Sequence, residues 1–130
     1  MRKTNSTNYV EWFKKAGHDL EDAVRLLHND GYADTICFLS QQAVEKALKG
    51  YLVYCRINPR AIHQLEDLAR DCAKINKDFL KILEDCFILT RYYIETRYPP
   101  VMPIEYKREE AQKAVKTAEK IMEFVKEKIT

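Results

Sequence analysis

The sequence predicts an all-α protein, an antiparallel up-down helical bundle of four long helices plus one short helix. The 130 residues include only three glycines and four prolines, and so few backbone breakers argue against a turn-rich β fold and against low-complexity disorder. Apolar residues recur every three or four positions through five segments, which is the period of an amphipathic helix. A chain of this length suits one domain, so we expect residues 1–130 to form a single one.

The first two segments are separated by a glycine. The first is predicted over residues 8–27 and ends near Gly31, which can take the positive φ of a helix end. The second, over residues 32–54, should be the central helix, because its small residues would let neighbouring helices approach closely. These small residues are Ala33, Ser40, Ala43, Ala47 and Gly50. On its polar face, Glu45 and Lys49 have the spacing of an i,i+4 ion pair.

Prolines divide the rest of the chain. Pro59 breaks the helical hydrogen-bond ladder after the second segment, and a short third segment follows over residues 62–75. The fourth segment is predicted over residues 77–96, with Asp78 as its N-cap. Three closely spaced prolines then require an extended connection, and the fifth segment covers residues 105–128.

Charge and hydropathy exclude several classes of function. The 22 basic and 20 acidic residues give a formal net charge of +2, so there is no broad basic surface for duplex nucleic acid or an anionic membrane. Charges interrupt every apolar run well before the ~18 residues of a membrane span. The amino-terminal residues lack the apolar region of a secretory signal. We therefore expect a cytoplasmic protein without membrane association.

The residues that commonly bind metals are not spaced for that task. A basic residue stands three positions before each of the three histidines, so the Glu-x-x-His pattern of di-metal bundles is absent. Four cysteines form no Cys-x-x-Cys pair and lie in apolar helical stripes, which predicts buried, reduced thiols. They are Cys37, Cys55, Cys72 and Cys86. A cysteine nucleophile would need an exposed thiol beside a histidine. We expect no metal and no cofactor.

Arginines and tyrosines are concentrated at the end of the fourth segment. Arg91 and Arg97 are interleaved with tyrosines that include Tyr93 and Tyr98. A guanidinium binds phosphate through two parallel hydrogen bonds, and an aromatic ring stacks on a base. The four residues are therefore candidates for binding a nucleotide or RNA. In the structural alternative, the cations complement a helix dipole, and Arg91 is tied to a carboxylate such as Glu95.

His63 is the remaining candidate for chemistry. It stands near the start of the third segment, after the break at Pro59. A histidine is the side chain most often used for general acid–base catalysis, and His63 could lie close to the arginines. The structural alternative is that His63 bonds the backbone or a side chain within the loop.

Several of these motifs resemble those of the HEPN domain family (higher eukaryotes and prokaryotes nucleotide-binding). The sequence Gln-Gln-Ala-Val-Glu-Lys-Ala-Leu-Lys at 41–49, His-Gln-Leu at 63–65 and Arg-Tyr-Pro at 97–99 occur in the family's register. The resemblance covers nearly the whole chain. It implies a four- to five-helix up-down bundle that is usually dimeric. It also implies, as for many stand-alone prokaryotic members, a minimal nucleotidyltransferase partner in a toxin–antitoxin-like pair.

The resemblance further implies a possible ribonuclease site, from which this sequence departs. Many members are metal-independent endoribonucleases with an Arg-x4-6-His motif, and two protomers line the cleft. Arg91 matches the arginine, but Thr96, Arg97 and Tyr98 occupy the positions of the histidine. We therefore expect a homodimer that binds nucleotide or RNA, docks a nucleotidyltransferase, or does both. The alternatives are a ribonuclease toxin that uses Arg91 with His63 or a tyrosine, and a non-catalytic structural adaptor.

Overall fold

The computed structural model of the chain describes residues 8–96 and 104–129. Within these ranges every regular element is helical, which confirms the predicted all-α class. The helices, in chain order, are α1 (Tyr9–His28), α2 (Ala33–Tyr54), α3 (Leu65–Ala73), a 3₁₀ helix (Lys77–Ile82), α4 (Leu83–Thr90), α5 (Tyr92–Glu95) and α6 (Arg108–Glu127).

Helix α2 is the centre of the bundle, and most of its residues are buried. It runs antiparallel to α1, since Nζ of Lys46 lies 2.6 Å from Asp19 while Gly50 lies beside Trp12. A Cβ atom at Gly50 would come within 3.0 Å of the Trp12 Cβ. The prediction that small residues allow close approach along α2 is therefore confirmed at Gly50.

The fourth segment runs antiparallel to α6. Asp85 on α4 pairs with Lys120, and Arg91, further along the chain, pairs with Glu110, nearer the start of α6. Helix α2 is also antiparallel to the fourth segment, since Phe38 lies near Tyr93 and Tyr51 near Phe79. The four main helical segments therefore alternate in direction. As a result, the end of α5 and the beginning of α6 lie at the same end of the bundle, where the predicted site residues are found.

Two helices end in the left-handed conformation, but not at the predicted residue. After α1, Asp30 takes the positive φ of 56°, and the N–H of Gly31 donates to the carbonyl of Leu26. Aspartate tolerates this conformation. Gly31 is needed for space, because a Cβ atom there would lie 2.7 Å from the Leu26 Cβ. Arg56, with a φ of 64°, ends α2 in the same way.

The predicted helix over residues 77–96 is divided. It begins as the 3₁₀ helix, continues as α4, and is interrupted at Arg91 before the short α5. The predicted N-cap is also wrong, because Oδ1 of Asn76 accepts a 3.0 Å hydrogen bond from the backbone N–H of Asp78. Asn76 has an extended backbone, which is the usual conformation of a capping residue.

Three of the four cysteines are buried, as predicted, and Cys55 is half-buried. Burial raises the pKa of the Cys37 thiol to about 12, and it raises the pKa of Cys72 and of Cys86 as well. These three thiols are therefore protonated at neutral pH and are poor nucleophiles.

Candidate functional site

The predicted arginine lies between α4 and α5. About half of the Arg91 side chain (52%) is exposed, and its Nη2 atom lies 2.9 Å from Oε2 of Glu110 on α6. The Nε atom of Arg91 is 4.0 Å from Glu95. Arg91 is thus paired with a carboxylate, as the structural alternative predicted, and its main partner is Glu110, with Glu95 more distant. The exposed half of the side chain leaves the guanidinium open to an anionic ligand.

Tyr92 connects this ion pair to the core. Its buried hydroxyl donates a 2.6 Å hydrogen bond to Glu110, and the Arg91 guanidinium lies 5.2 Å from the centre of its ring. Burial raises the pKa of Tyr92, and the hydrogen bond to Glu110 raises it further. A hydrogen bond to Tyr92 and the bond to Glu110 raise the pKa of Arg91. Arg91 therefore stays cationic, and Tyr92 stays a neutral donor.

A groove of about 630 Å³ separates α4 and α5 from α6. Its polar lining includes three cations and three carboxylates. They are Arg91, Lys107 and Lys113, and Glu105, Glu109 and Glu110. A phosphate group could bind Arg91 in this groove only in competition with Glu110, because this carboxylate already accepts a hydrogen bond from the guanidinium.

The second candidate, His63, lies on the other flank of α5. Its Nδ1 atom is 3.2 Å and 3.1 Å from the two carboxylate oxygens of Glu45. Its ring stacks on Tyr93, with ring centres 3.8 Å apart and planes 12° from parallel. The side chain is 43% exposed. Tyr93 also approaches Phe38 on α2, at 6.1 Å between ring centres.

Glu45 is a buried carboxylate at the centre of a polar network. Lys49 donates to it at 3.0 Å, as the i,i+4 spacing predicted. Gln41 donates to Glu45 at 3.2 Å and to the backbone carbonyl of His63 at 3.0 Å. Thr90 donates to the same carbonyl at 3.2 Å. Both Glu45 and Lys49 are buried, so the predicted polar face of α2 is in part enclosed by the bundle.

The structure brings together only some of the predicted residues. His63 and Tyr93 are stacked, whereas Arg91 faces α6 and makes no hydrogen bond or ion pair with His63 in the described part of the chain. Arg97 and Tyr98 lie outside the described residues. Among the residues that are described, no group of three histidine, cysteine, aspartate or glutamate side chains could hold a metal ion. Within residues 8–96 and 104–129, no helix has the length and hydropathy needed to cross a membrane.

The sequence predictions missed two functional candidates, Glu110 and Glu45. Nothing in the spacing of Arg91 and Glu110, which are 19 residues apart, indicates their contact. Glu45 carried a usable signal, because Gln41, Glu45 and Lys49 recur every four residues on one helix face. Three hydrogen-bonding side chains on the same face of a central helix indicate a buried polar network.

Several known proteins are similar to this chain in sequence and in structure. The chain is 31% identical over 134 residues to "Putative toxin MJ1304" of Methanocaldococcus jannaschii, covering 92% of this chain and 87% of that protein. TT1696 from Thermus thermophilus is 36% identical, with a TM-score of 0.79, and the match covers 93% of this chain and 98% of that one. ST0689, described as an archaeal HEPN homologue, is 30% identical, with a TM-score of 0.76 and complete coverage of both chains. The family model for the HEPN domain matches residues 9–128, and the chain therefore belongs to the HEPN domain family.

Proposed function

We propose that this protein binds a nucleotide or RNA at Arg91, Tyr93 and His63, and that it works with a minimal nucleotidyltransferase as the toxin-like member of a pair. The observation that carries the binding site is the half-exposed Arg91 guanidinium, two residues before Tyr93, whose ring stacks on His63. The name of the Methanocaldococcus jannaschii relative, "Putative toxin MJ1304", supports the toxin-like role. Arg97 and Tyr98 would extend the same site.

The chemistry of the site favours binding over cleavage within one protomer. Arg91 supplies a permanent cation for a phosphate, and a half-exposed aromatic stack suits a base. Cleavage would require an acid–base group near the phosphate held by Arg91, and His63 faces α2 instead. A ribonuclease that uses Arg91 and His63 is the second candidate. The hydrogen bond between Glu45 and Nδ1 of His63 fixes the orientation of the imidazole, as a carboxylate often does for a catalytic histidine.

Replacing Arg91 with alanine tests the site directly. We expect Arg91→Ala to weaken the binding of a labelled RNA oligonucleotide about 10- to 100-fold, because it removes charge-assisted hydrogen bonds to phosphate. Fluorescence anisotropy at one fixed salt concentration measures the affinity, and gel electrophoresis of the same RNA reports cleavage. Arg70→Ala is the matched control, since Arg70 is 56% exposed and has a 2.8 Å ion pair to Asp67.

The outcomes separate the three functions. Equal affinity of Arg91→Ala and wild type for RNA would reject the binding site. RNA cleavage by the wild type that is lost in Arg91→Ala would establish the ribonuclease alternative. If the wild type binds neither RNA nor nucleotides but binds the nucleotidyltransferase, the structural adaptor is correct.

Replacing Glu110 with glutamine should have the opposite effect on affinity. The change removes the carboxylate that competes with phosphate for Arg91, while the glutamine oxygen can still accept from Tyr92. We expect RNA to bind about two- to fivefold more tightly, which corresponds to an exposed ion pair. Glu109→Gln is the control, because Glu109 lines the same groove without pairing with Arg91. If Glu110→Gln and Glu109→Gln tighten RNA binding equally, the gain in affinity does not come from freeing Arg91 from its ion pair.

An exposed apolar stripe supports the homodimer that belongs to this proposal. Leu80, Phe87 and Ile94 are exposed and spaced seven residues apart, and the exposed Ile88 lies beside them. Phe87 and Ile88 lie on α4, while Leu80 lies in the preceding 3₁₀ helix and Ile94 in α5. Arg91 follows Phe87 by four residues and Ile88 by three, so it lies on the same side of this segment as both. A second copy packed on the stripe would therefore place both Arg91 side chains at one interface.

A further inference from the structure

A second groove, of about 570 Å³, lies between α1 and α6, and none of the proposed nucleotide-binding residues lines it. A cavity of about 650 Å³ continues it toward the end of α1, since Val24 and Glu119 line both. We call the two together the α1–α6 groove. Over its length, from Gly17 to His28, α1 rises about 17 Å, which equals about three turns of another helix. Its floor is apolar apart from the backbone, and consists of Gly17, Leu20, Val24 and Met122.

Gly17 has no reason to be a glycine within the part of the chain that the structure describes. It lies in the interior of α1, where glycine is less stable than alanine. Its φ is not positive, and a Cβ atom there would meet no heavy atom within 4 Å. Gly50 differs, because a Cβ atom at Gly50 would crowd Trp12. A glycine also permits another backbone to approach closely, and the open space over Gly17 suits the backbone of a helix from another molecule.

Carboxylates outnumber free cations along the groove beside this floor. Three exposed glutamates line it, namely Glu21, Glu119 and Glu123. None of the three makes an ion pair within residues 8–96 and 104–129. Of the two cations in the same lining, Arg25 pairs with Asp22 at 2.9 Å, which leaves only the Lys126 ammonium among the lining residues. Acidic side chains beside an apolar floor complement a partner that carries lysine or arginine next to its apolar residues.

We propose that the α1–α6 groove binds a basic amphipathic helix of a partner protein, whose backbone lies closest at Gly17. Apolar side chains at every third or fourth position of that helix pack on the groove floor, and its lysines or arginines lie beside the three glutamates. The groove shares no residue with the apolar stripe proposed for the homodimer or with Arg91, Tyr93 and His63. The partner surface is therefore separate from both.

A model peptide tests the groove directly. The probe is a labelled synthetic peptide of about 14 residues, with leucine at every third or fourth position and lysines beside the leucines. The comparison peptide carries glutamate in place of each lysine. Fluorescence anisotropy at one salt concentration should show that the full chain binds the lysine peptide at least about tenfold more tightly. The ¹³C methyl resonance of Met122, which lies in the groove, should shift on binding. An unshifted Met122 resonance, or equal binding of both peptides, would overturn the proposal.

Two substitutions test the charge and the shape of the groove separately. Glu123→Lys should weaken binding of the lysine peptide about 5- to 10-fold and strengthen binding of the glutamate peptide. Glu11→Lys is the matched control, because Glu11 is exposed on α1 outside the groove, and it should change neither affinity. Gly17→Leu should weaken binding at least about tenfold by filling the space over α1. Its Tm should not fall, because leucine is the better helix former.

The remaining results identify other occupants of the groove. Undiminished peptide binding by a folded Gly17→Leu variant would overturn the close approach at Gly17. Analytical ultracentrifugation of the same variant without peptide examines association of the chain with itself. Weakened self-association in Gly17→Leu would assign the groove to a second copy of this chain and overturn the proposed partner, whereas unchanged self-association supports it.

Discussion

Replacing Phe79 with alanine is expected to lower the free energy of unfolding by about 3–5 kcal/mol. Phe79 is completely buried in the 3₁₀ helix. Its ring centre lies 4.5 Å from that of Tyr51 on α2 and 5.2 Å from that of Phe124 on α6. Truncation would leave a cavity between three elements, and the loss is large because domains are stable by only about 5–15 kcal/mol.

Urea denaturation monitored by circular dichroism measures this effect. The variant and wild type must be compared at one protein concentration, because association of chains changes apparent stability. Ile75→Ala is the control, since Ile75 is exposed and its truncation should cost less than about 1 kcal/mol. A loss at Phe79 no larger than at Ile75 would show that the aromatic cluster does not join the 3₁₀ helix to the bundle.

Replacing Phe87 with glutamate is expected to convert the proposed homodimer to a monomer, with a dissociation constant raised at least about 100-fold. Phe87 lies in the middle of the exposed apolar stripe, and 63% of its surface is exposed in the single chain. In a symmetric antiparallel contact centred on Phe87, Glu84 of one copy would lie near Arg91 of the other. Two glutamates introduced at the centre would instead face each other, and hot-spot aromatic contacts worth at least about 2 kcal/mol would be lost.

Analytical ultracentrifugation over a range of concentrations gives the dissociation constant. Val10→Glu adds the same charge at an exposed apolar residue on α1, outside the stripe, and should leave the association state unchanged. A wild type that remains monomeric at high concentration would reject the homodimer. A wild-type dimer that Phe87→Glu leaves intact would place the interface elsewhere.

Much of the fold could be predicted because helix signals are local. The apolar period identified α1, α2 and α6 to within a few residues, since a three-to-four repeat depends only on neighbouring turns of the same helix. The motif at 41–49, together with those at 63–65 and 97–99, also identified the family. The division of residues 77–96 into separate helices was less predictable. The apolar repeat continues on both sides of Arg91, although the helix is interrupted there.

The candidate site was only partly predictable, because its contacts join distant parts of the chain. Sequence patterns indicated Arg91 and His63 as separate candidates. They could not indicate that Arg91 pairs with Glu110, or that His63 pairs with Glu45, 18 residues away. Thr90 and Tyr93, on either side of Arg91, contact His63. Arg91 itself pairs with Glu110 instead, since successive residues of a helix point in different directions.

The sequence by itself determined the helical class, the central position of α2 and membership of the HEPN domain family. Each of these follows from residue spacing along one element or from short motifs in a constant order. Only the tertiary structure decided which side chains meet at the end of the bundle. Those contacts depend on the relative positions of α2, α5 and α6. The packing of these helices buries Glu45 against His63 and leaves Arg91 half-exposed beside Glu110.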